Sequence, residues 1–289
     1  MKRNLLILLA ALATIVLSPV SARASDSDGN EIVRPVLSSY TIDIGSAHIA
    51  DTYLSPLRHS GWALGINYER MQAMRFDPER WVMQLQGRAA IERTLNIPAR
   101  NALMWDIDFR IGWGMMRRFR VAEGWSLYAG GSTDINAGAI YKPRNSNNPV
   151  AAKASWTVNA LGAVAFNTRI LSVPVCFRYQ AELPLTGIFF SPDYGELYYE
   201  IYLGNHSGLV HAAWPGNFIR LNNLLTADLR FGGTTLRVGY ANTVFSTKIS
   251  DIVTRRISHR FVVGIATEWL SLNATKHLPE KARIISALY

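Results

Sequence analysis

Residues 103–113 read Leu-Met-Trp-Asp-Ile-Asp-Phe-Arg-Ile-Gly-Trp and alternate strictly between two kinds of side chain. The odd positions are large and apolar: Leu103, Trp105, Ile107, Phe109, Ile111 and Trp113. The even positions between them are Met104, Asp106, Asp108, Arg110 and Gly112, and three of these five residues are charged. A period of two is typical of a β-strand with two different faces. The stretch therefore predicts a strand with one apolar face and one charged face.

The length of this stretch matches the apolar band of an outer-membrane barrel. Trp105 and Trp113 are eight residues apart, which at ~3.3 Å per residue and a tilt of ~40° gives roughly 20 Å along a barrel axis. Aromatic residues mark both water interfaces in such barrels. A soluble sandwich also alternates, but it places its aromatic residues in the core and its charges on the solvent side. This strand alone is compatible with both classes of protein, and the other segments of the chain distinguish between them.

The N-terminus has the three parts of a secretory signal peptide. A basic Met-Lys-Arg-Asn start precedes an apolar run over residues 5–17, and Ala22-Arg23-Ala24 forms a cleavage site of small residues. The alternative is a membrane anchor, but the run is shorter than the ~18 residues that a spanning helix needs. We therefore assign residues 1–24 to a cleaved signal peptide and expect an exported protein.

Composition limits the class further. A mature chain of 265 residues suits one barrel domain, and its formal net charge falls from +9 to +6 because Lys2, Arg3 and Arg23 are removed. This surplus suits contact with outer-membrane lipid and lipopolysaccharide, and no nucleic-acid module accompanies it. The single Cys176 excludes an intramolecular disulfide and a cysteine-based metal cluster. The histidines lack metal-ligand spacing, so no metal and no cofactor are expected.

Alternating segments recur along the chain and organise it into one barrel. We predict an all-β protein, a transmembrane antiparallel β-barrel of about 12 strands in the Gram-negative outer membrane, inserted by the barrel-assembly machinery. The barrel covers residues 36–270, after a periplasmic lead-in at 25–35 and before a periplasmic tail at 271–289. The segments 197–205 and 209–214 alternate least clearly, so ten or fourteen strands stay open. The alternative is a soluble periplasmic β protein, which the outward aromatic residues argue against.

Two details of this organisation are further expectations. Residues 183–195 form the longest irregular segment, and their aromatic residues predict a loop folded over the structure. The tail could form a short periplasmic helix that ends at Tyr289. The role of the tail and the oligomeric state of the protein are open.

Parity along the strands assigns side chains to the two faces. The outward tryptophans predict an aromatic girdle: Trp62, Trp81, Trp105, Trp113, Trp125, Trp156 and Trp269. The inward charges predict an ion-pair network in the lumen: Arg88, Glu92, Asp106, Asp108, Arg110, Arg178, Glu182, Glu200, Arg220, Asp228, Arg230, Arg237 and Arg260. Other basic residues, among them Arg118, Arg255 and Arg256, fall at turns and strand ends.

The inward charges are nearly balanced, and all the inward bases are Arg, whose planar fork suits carboxylates. A twelve-stranded barrel is narrow, between filled eight-stranded barrels and open porins. Such charges favour a plugged or constricted lumen over an open pore. The leading hypothesis is a constricted channel or a structural envelope component.

One segment raises the alternative of catalysis. Gly204-Asn-His-Ser-Gly208 holds a base beside a nucleophile, and outer-membrane phospholipases and lipid A deacylases use a His–Ser pair. Those enzymes place the two residues two positions apart on one strand, whereas His206 and Ser207 are adjacent and would face opposite sides. Asn, Ser and Gly also form turns. An outer-membrane lipid hydrolase using His206 and Ser207 is therefore the second hypothesis.

Three segments resemble an exported protein family from Bacteroidota that is catalogued as a domain of unknown function. They are Thr52-Tyr-Leu-Ser-Pro-Leu-Arg-His-Ser-Gly-Trp62, Gly187-Ile-Phe-Phe-Ser-Pro-Asp-Tyr-Gly-Glu-Leu-Tyr-Tyr-Glu-Ile201 and Thr234-Thr-Leu-Arg-Val-Gly-Tyr240. The resemblance covers nearly the whole mature chain. It implies a Gram-negative envelope protein of β-barrel type, and it carries no catalytic residues to transfer.

The signal-peptide assignment predicts the mature N-terminus. Cleavage after Ala24 should leave Ser25 as the first residue, because Ala22 and Ala24 supply the small side chains of the cleavage site. N-terminal sequencing of protein recovered from outer membranes measures this directly. Recovery from the inner membrane with residues 1–24 intact would contradict both the cleavage and the topology.

Overall fold

The computed structural model describes residues 24–25, 31–146, 148–192, 201, 203–204, 208–269 and 283–289. Within these residues the structure contains fourteen β-strands. In chain order they are β1 Ala24–Ser25, β2 Glu31–Val33, β3 Val36–Asp51, β4 Ser55–Ala73, β5 Trp81–Asn96, β6 Leu103–Ala122, β7 Trp125–Tyr141, β8 Val150–Ile170, β9 Val173–Phe190, β10 Val210–Ala213, β11 Phe218–Phe231, β12 Thr234–Ile249, β13 Ile252–Trp269 and β14 Arg283–Ile284. Across the same residues, no helix is long and apolar enough to cross a membrane.

Ten of these strands close into an antiparallel barrel. Their order is β9-β11-β12-β13-β3-β4-β5-β6-β7-β8, and β8 pairs back onto β9. The short β10 pairs only with the end of β9, so it lies outside the closed ring. The predicted all-β antiparallel barrel is confirmed. The described strands of the ring number ten rather than twelve, because segment 209–214 forms only β10 and segment 197–205 falls mostly outside the described residues.

The two ends of the barrel differ. Two-residue turns at 123–124, 171–172 and 232–233 connect strands at one end, which we call the turn end. The connection at 74–80 lies at the same end. The opposite end, called the loop end, carries the short turns at 52–54 and 250–251 and the connections that follow β5, β7 and β9. Both the start of β3 and the finish of β13 lie at the turn end, since Val36 pairs with Trp269.

The opening stretch of the sequence forms β6, and its two faces are separated as the alternation predicts. Ile107 and Phe109 are 42% and 56% exposed on the outside of the barrel, whereas Asp106 and Asp108 are buried in the lumen. Most neighbouring strands repeat the pattern, which places apolar side chains outside and polar side chains inside. This distribution is the reverse of that in a soluble sandwich, whose apolar face packs in the core.

The expectation of an irregular segment at residues 183–195 is wrong for its first half, because β9 continues to Phe190. A β-bulge between Val158 and Asn159 of β8 leaves Leu185 without a paired residue, so Leu185 and Thr186 are both exposed. An extra residue of this kind breaks the period of two in the sequence. Beyond the bulge, a Cβ at Gly187 would lie 2.2 Å from the Trp156 carbonyl oxygen, so only glycine fits.

A second, small sheet joins the two ends of the chain. The strand β2 pairs antiparallel with β1 and parallel with β14, and the Ile285 amide donates to the Val33 carbonyl at 2.9 Å. The predicted helix at the end of the tail is wrong over residues 283–289: Arg283 and Ile284 are extended, and the residues after them enter the barrel.

The fold predicts that an arginine on the lipid-facing wall impairs assembly more than an arginine in a turn outside the membrane. Phe109→Arg should impair assembly, because an Arg at the bilayer midplane of a barrel exterior costs about 2–4 kcal/mol. Phe76→Arg is a matched control, since Phe76 is 64% exposed but lies in the turn between β4 and β5. The yield of heat-modifiable barrel on gels compares the two. Equal yields would rule out lipid contact at Phe109.

Candidate functional site: the barrel lumen

The lumen at the turn end is filled by an apolar layer into which the C-terminus inserts. Ala287 and Leu288 are buried against lumen-facing residues of the barrel wall, and Tyr289 packs beside them. The wall residues of this layer come from eight strands: Leu37, Met71, Val82, Met116, Tyr128, Leu161, Ala163, Ala165, Cys176 and Ala266. Residues 285–289, which we call the C-terminal plug, therefore close this end of the bore.

Hydrogen bonds hold the plug backbone in place. Arg118 donates to the Ser286 carbonyl at 2.7 Å, Tyr128 to the Ala287 carbonyl at 3.1 Å and Asn167 to the Leu288 carbonyl at 3.2 Å. These donors come from β6, β7 and β8, so three wall strands grip successive plug residues. A backbone that enters a bore needs such partners, because buried carbonyls without them are costly.

Tyr289 links the plug to the charged part of the lumen. Its hydroxyl donates to Asp228 Oδ2 at 2.9 Å, and the Arg230 guanidinium lies 4.3 Å from the centre of its ring. Burial and the neighbouring Asp228 carboxylate raise the pKa of the Tyr289 hydroxyl. The hydroxyl therefore keeps its proton and remains a donor to Asp228.

Glu69 is the centre of the ion-pair layer next to the plug. Arg178 on β9 reaches Glu69 on β4, with 2.7 Å between Nη2 and Oε2, and these strands are five positions apart in a ring of ten. Arg237 binds the same carboxylate and also makes two parallel hydrogen bonds of 2.7 Å to Asp228. Gln84 and Gln180 bridge the bore at the same level, with Nε2 of Gln84 2.9 Å from Oε1 of Gln180. Opposite walls of the barrel are thus joined directly.

A second layer of pairs lies beside Glu182. The Glu182 carboxylate accepts from Arg110 on β6 and from Ser132 on β7. Arg220 on β11 binds Asp134 on β7, with 2.6 Å between Nη2 and Oδ1. The two ion pairs each join strands that are three positions apart in the ring, so these side chains also cross the bore.

A third layer continues toward the loop end. Arg256 on β13 binds Asp106 and lies 3.4 Å from Asp108, both on β6. Asp43 is shared by Arg88 and Arg260, the latter at 3.4 Å. All of these groups are at most slightly exposed, so each carboxylate is paired where water is scarce.

Apolar side chains fill the lumen at the loop end. One cluster contains Ile49, Met104 and Ile140, and another contains Phe189, Phe218 and Phe245. Lys153 and Asp51 pair between them, with 2.9 Å from Nζ to Oδ2, across strands on opposite sides of the barrel.

The space that remains in the middle of the bore is small and polar. One cavity has a volume of about 120 Å³ and is bordered by Asp43, Glu69, Arg88, Arg110 and Glu182 among others. A neighbouring cavity of about 20 Å³ lies toward Arg256. Spaces of this size admit a few water molecules.

The structure places nearly all the sequence-predicted lumen residues inside the barrel. Arg88, Glu92, Asp106, Asp108, Arg110, Arg178, Glu182, Arg220, Asp228, Arg230, Arg237 and Arg260 all occupy inward positions. Glu200 lies outside the described residues. Arg178 and Glu182 share one face of β9 but bind different partners. Arg230 stacks on Tyr289, and no acid among the described residues forms an ion pair with it.

Sequence reasoning missed Arg256 and the plug. The assignment of Arg256 to a strand end is wrong, since it lies in the lumen; its parity with Arg260 on β13 carried the signal. Arg118, also assigned to the turns, is buried against the plug backbone. No sequence pattern predicted the plug, because a short apolar tail has no periodicity that indicates where it binds.

The predicted girdle residues lie on the outer surface. Trp81, Trp125 and Trp269 stand at strand termini of the turn end, whereas Trp62, Trp105 and Trp156 lie nearer the loop end. Trp62 and Trp105 contact each other edge to face at 6.1 Å, and Arg93 lies 5.9 Å from the Trp105 ring. Trp113 is 45% exposed between these two levels.

Two other site predictions concern chemistry. His206 and Ser207 fall outside the described residues. In the part of the chain that is described, no three His, Cys, Asp or Glu side chains are grouped to hold a metal ion.

A closed antiparallel barrel with an even number of strands, an apolar exterior and a polar interior has the architecture of outer-membrane barrels. The chain belongs to the family described as "Protein of unknown function (DUF3316)", whose profile matches residues 5–276. No curated protein sequence matches it.

Solved structures match this chain only at low similarity. The translocator domain of the autotransporter NalP from Neisseria meningitidis is 10% identical, with 84% of this chain and 90% of that chain covered and a TM-score of 0.43. The outer membrane protease OmpT from Escherichia coli is 6% identical, with 81% and 97% covered and a TM-score of 0.41. An outer membrane channel from Pseudomonas putida F1 is 9% identical, with 88% and 100% covered and a TM-score of 0.33. No activity is carried over from them.

The ion pairs of Glu69 predict that the barrel loses much stability when the charge of Glu69 is removed. Glu69→Gln should lower the free energy of unfolding by about 3–5 kcal/mol, because Arg178 then lacks a carboxylate partner in a buried site. The midpoint temperature at which the folded band disappears on gels measures the loss.

Glu79→Gln supplies the matched control for this change. Glu79 and Arg283 form an ion pair of 2.6 Å with side chains 45% and 49% exposed, and exposed pairs contribute about 0–1 kcal/mol. Equal unfolding midpoint temperatures for the two variants would contradict a structural role for the Glu69 ion pairs.

Proposed function

We propose that this protein is an outer-membrane β-barrel with a closed bore that serves as a structural component of the Gram-negative envelope. The observation that carries the proposal is the contact between Arg178 and Glu69, which joins opposite walls of the barrel. A bore crossed by side chains in this way leaves no continuous path for a solute.

The exterior supports insertion into a membrane. Large apolar residues are exposed around the ring, among them Ile44, Ile66, Phe109, Ile135 and Phe261, each more than half exposed. A water-soluble protein rarely exposes so large an apolar surface. The signal-peptide pattern at residues 1–24 and the short connections at the turn end favour the outer membrane, with the turn end in the periplasm.

The proposed surroundings follow from this placement. Outer-membrane lipid and lipopolysaccharide contact the apolar wall and the basic residues at strand ends, and the barrel-assembly machinery inserts the chain. The resemblance to exported Bacteroidota proteins favours a Gram-negative source.

A second candidate function is a constricted channel gated by the C-terminal plug. One observation favours it: the plug is a separate segment, not a barrel strand, and the polar cavity of about 120 Å³ lies behind it. Removing the plug would open the turn end but leave the ion-pair layers and the apolar clusters of the loop end in place.

Conductance separates the two candidates. In planar bilayers, wild-type protein and a variant lacking residues 283–289 should both pass no steady current, because side chains still cross the middle of the bore. Both must show the heat-modifiable gel shift of a folded barrel. A current that occurs only in the shortened variant would favour the gated channel, and a large wild-type current would overturn the closed bore.

A further inference from the structure

Five adjacent strands of the ring each carry a basic residue on the outer surface near the loop end. The strands β12, β13, β3, β4 and β5 are neighbours in the ring, and each has this residue within three positions of its loop-end terminus. All of these residues have the outward parity of their strands, and none is buried. We call them the basic band: Lys248, Arg255, His48, Arg58 and Arg93.

The basic band lies at the level of the loop-end girdle. Arg93 is paired directly with Trp62 on β4 and with Trp105 on β6, and its guanidinium lies 5.9 Å from the Trp105 ring. Aromatic girdles mark the water interface of outer-membrane barrels. In an inserted barrel the band therefore faces lipid headgroups and not acyl chains.

The outer face of these strands carries positive charge without counter-ions. No carboxylate among the described residues forms an ion pair with a member of the band, including Asp251 in the turn between β12 and β13. The acids of the five strands themselves all occupy inward positions: Asp43, Asp51, Glu69, Glu92 and Glu268. An anion that neutralises the band must therefore come from the surroundings.

The surface changes character from the band toward the middle of the wall. Asn242, His259 and Ser46 occupy paired outward positions on β12, β13 and β3, and they offer hydrogen-bonding groups. The next outward positions toward the turn end are apolar and also pair across strands: Phe261, Ile44 and Leu64. A ligand that matches this order has anionic groups outermost, hydrogen-bonding groups next and acyl chains last.

We propose that the basic band is a binding site for the phosphate groups of lipopolysaccharide. The lipid A part of this molecule has the required order: phosphates, then sugars with ester and amide groups, then acyl chains. The inference rests on the proposed membrane insertion, which places the turn end in the periplasm and the loop end in the outer leaflet.

The width and the residue types of the band fit this ligand. Five neighbouring strands at about 4.8 Å spacing span roughly 19 Å, which accommodates the two phosphates of one lipid A headgroup, whereas phosphatidylglycerol has a single phosphate. Arg255, Arg58 and Arg93 each present a planar fork that binds two phosphate oxygens at once. Lys248 adds a further positive charge at the same end.

Titration of the folded barrel with bis-phosphorylated lipid A in detergent tests the site. Native mass spectrometry measures the fraction of barrel that carries lipid A at each concentration. The combined variant Arg58→Ser, Arg93→Ser and Arg255→Ser should bind on the order of a hundredfold more weakly than wild type, because three basic side chains are lost from a surface that binds anionic lipid. All proteins compared must show the heat-modifiable gel shift.

A matched variant at the other end of the barrel supplies the control. Arg80→Ser, Arg117→Ser and Arg169→Ser combined also remove three exposed arginines, and these lie at or near the turn end. This variant should bind lipid A as tightly as wild type does. Equal affinities of the two triple variants would overturn the proposed site.

The remaining outcomes separate the ligand and the setting. Phosphatidylglycerol that binds wild type as tightly as lipid A would overturn lipopolysaccharide as the ligand. A folded wild-type barrel that binds no lipid A overturns the site but not the membrane assignment, whereas wild-type protein that stays soluble without detergent overturns both. If the loop-end triple variant does not fold, the single variants Arg255→Ser and Arg169→Ser decide: equal affinities for lipid A overturn the site, and a weaker affinity for Arg255→Ser alone supports it.

Discussion

Charges inside a ten-stranded barrel must be paired, and this constraint shapes the whole lumen. The bore is narrow enough for an Arg on one wall to reach a carboxylate on the opposite wall, as Arg178 and Glu69 show. An unpaired charge in such a space has neither bulk water nor a counter-ion, so its burial is expensive. The Arg and carboxylate side chains therefore stabilise the barrel only when all of them are paired. Each one depends on a partner from a distant strand.

At the turn end, the C-terminal plug keeps water away from apolar side chains of the lumen. The lumen there is lined by apolar residues, which would be exposed to water if the bore were open. Leu288 and its neighbours cover them, while Arg118, Tyr128 and Asn167 satisfy the carbonyls of the entering backbone. Tyr289 completes the arrangement by reaching Asp228, so the apolar layer and the first ionic layer are linked through one side chain.

The outer surface follows the opposite rule, since its solvent is lipid in the proposed setting. Apolar side chains there need no partners, and polar side chains do.

Alternation in the sequence determined the class of fold. The period of two in residues 103–113 and in similar segments assigned Asp106 and Asp108 to one face and Phe109 to the other, because successive side chains of a strand point to opposite sides. The same parity also assigned Arg178, Arg220 and Arg237 to the lumen. It did not reveal the bulge near Leu185, where an extra residue shifts the period, and it left the strand count open between ten and fourteen.

Tertiary structure alone decided which charges meet. Arg178 pairs with Glu69, 109 positions away, and not with Glu182 on its own strand, because closure of the ring brings β4 opposite β9. The folded barrel also places Arg256 in the lumen and Arg118 against the plug. Both had been assigned to strand ends or turns, and the pairing of neighbouring strands determines where a strand actually ends. The plug also required the folded barrel, because a short apolar tail does not specify its own binding site.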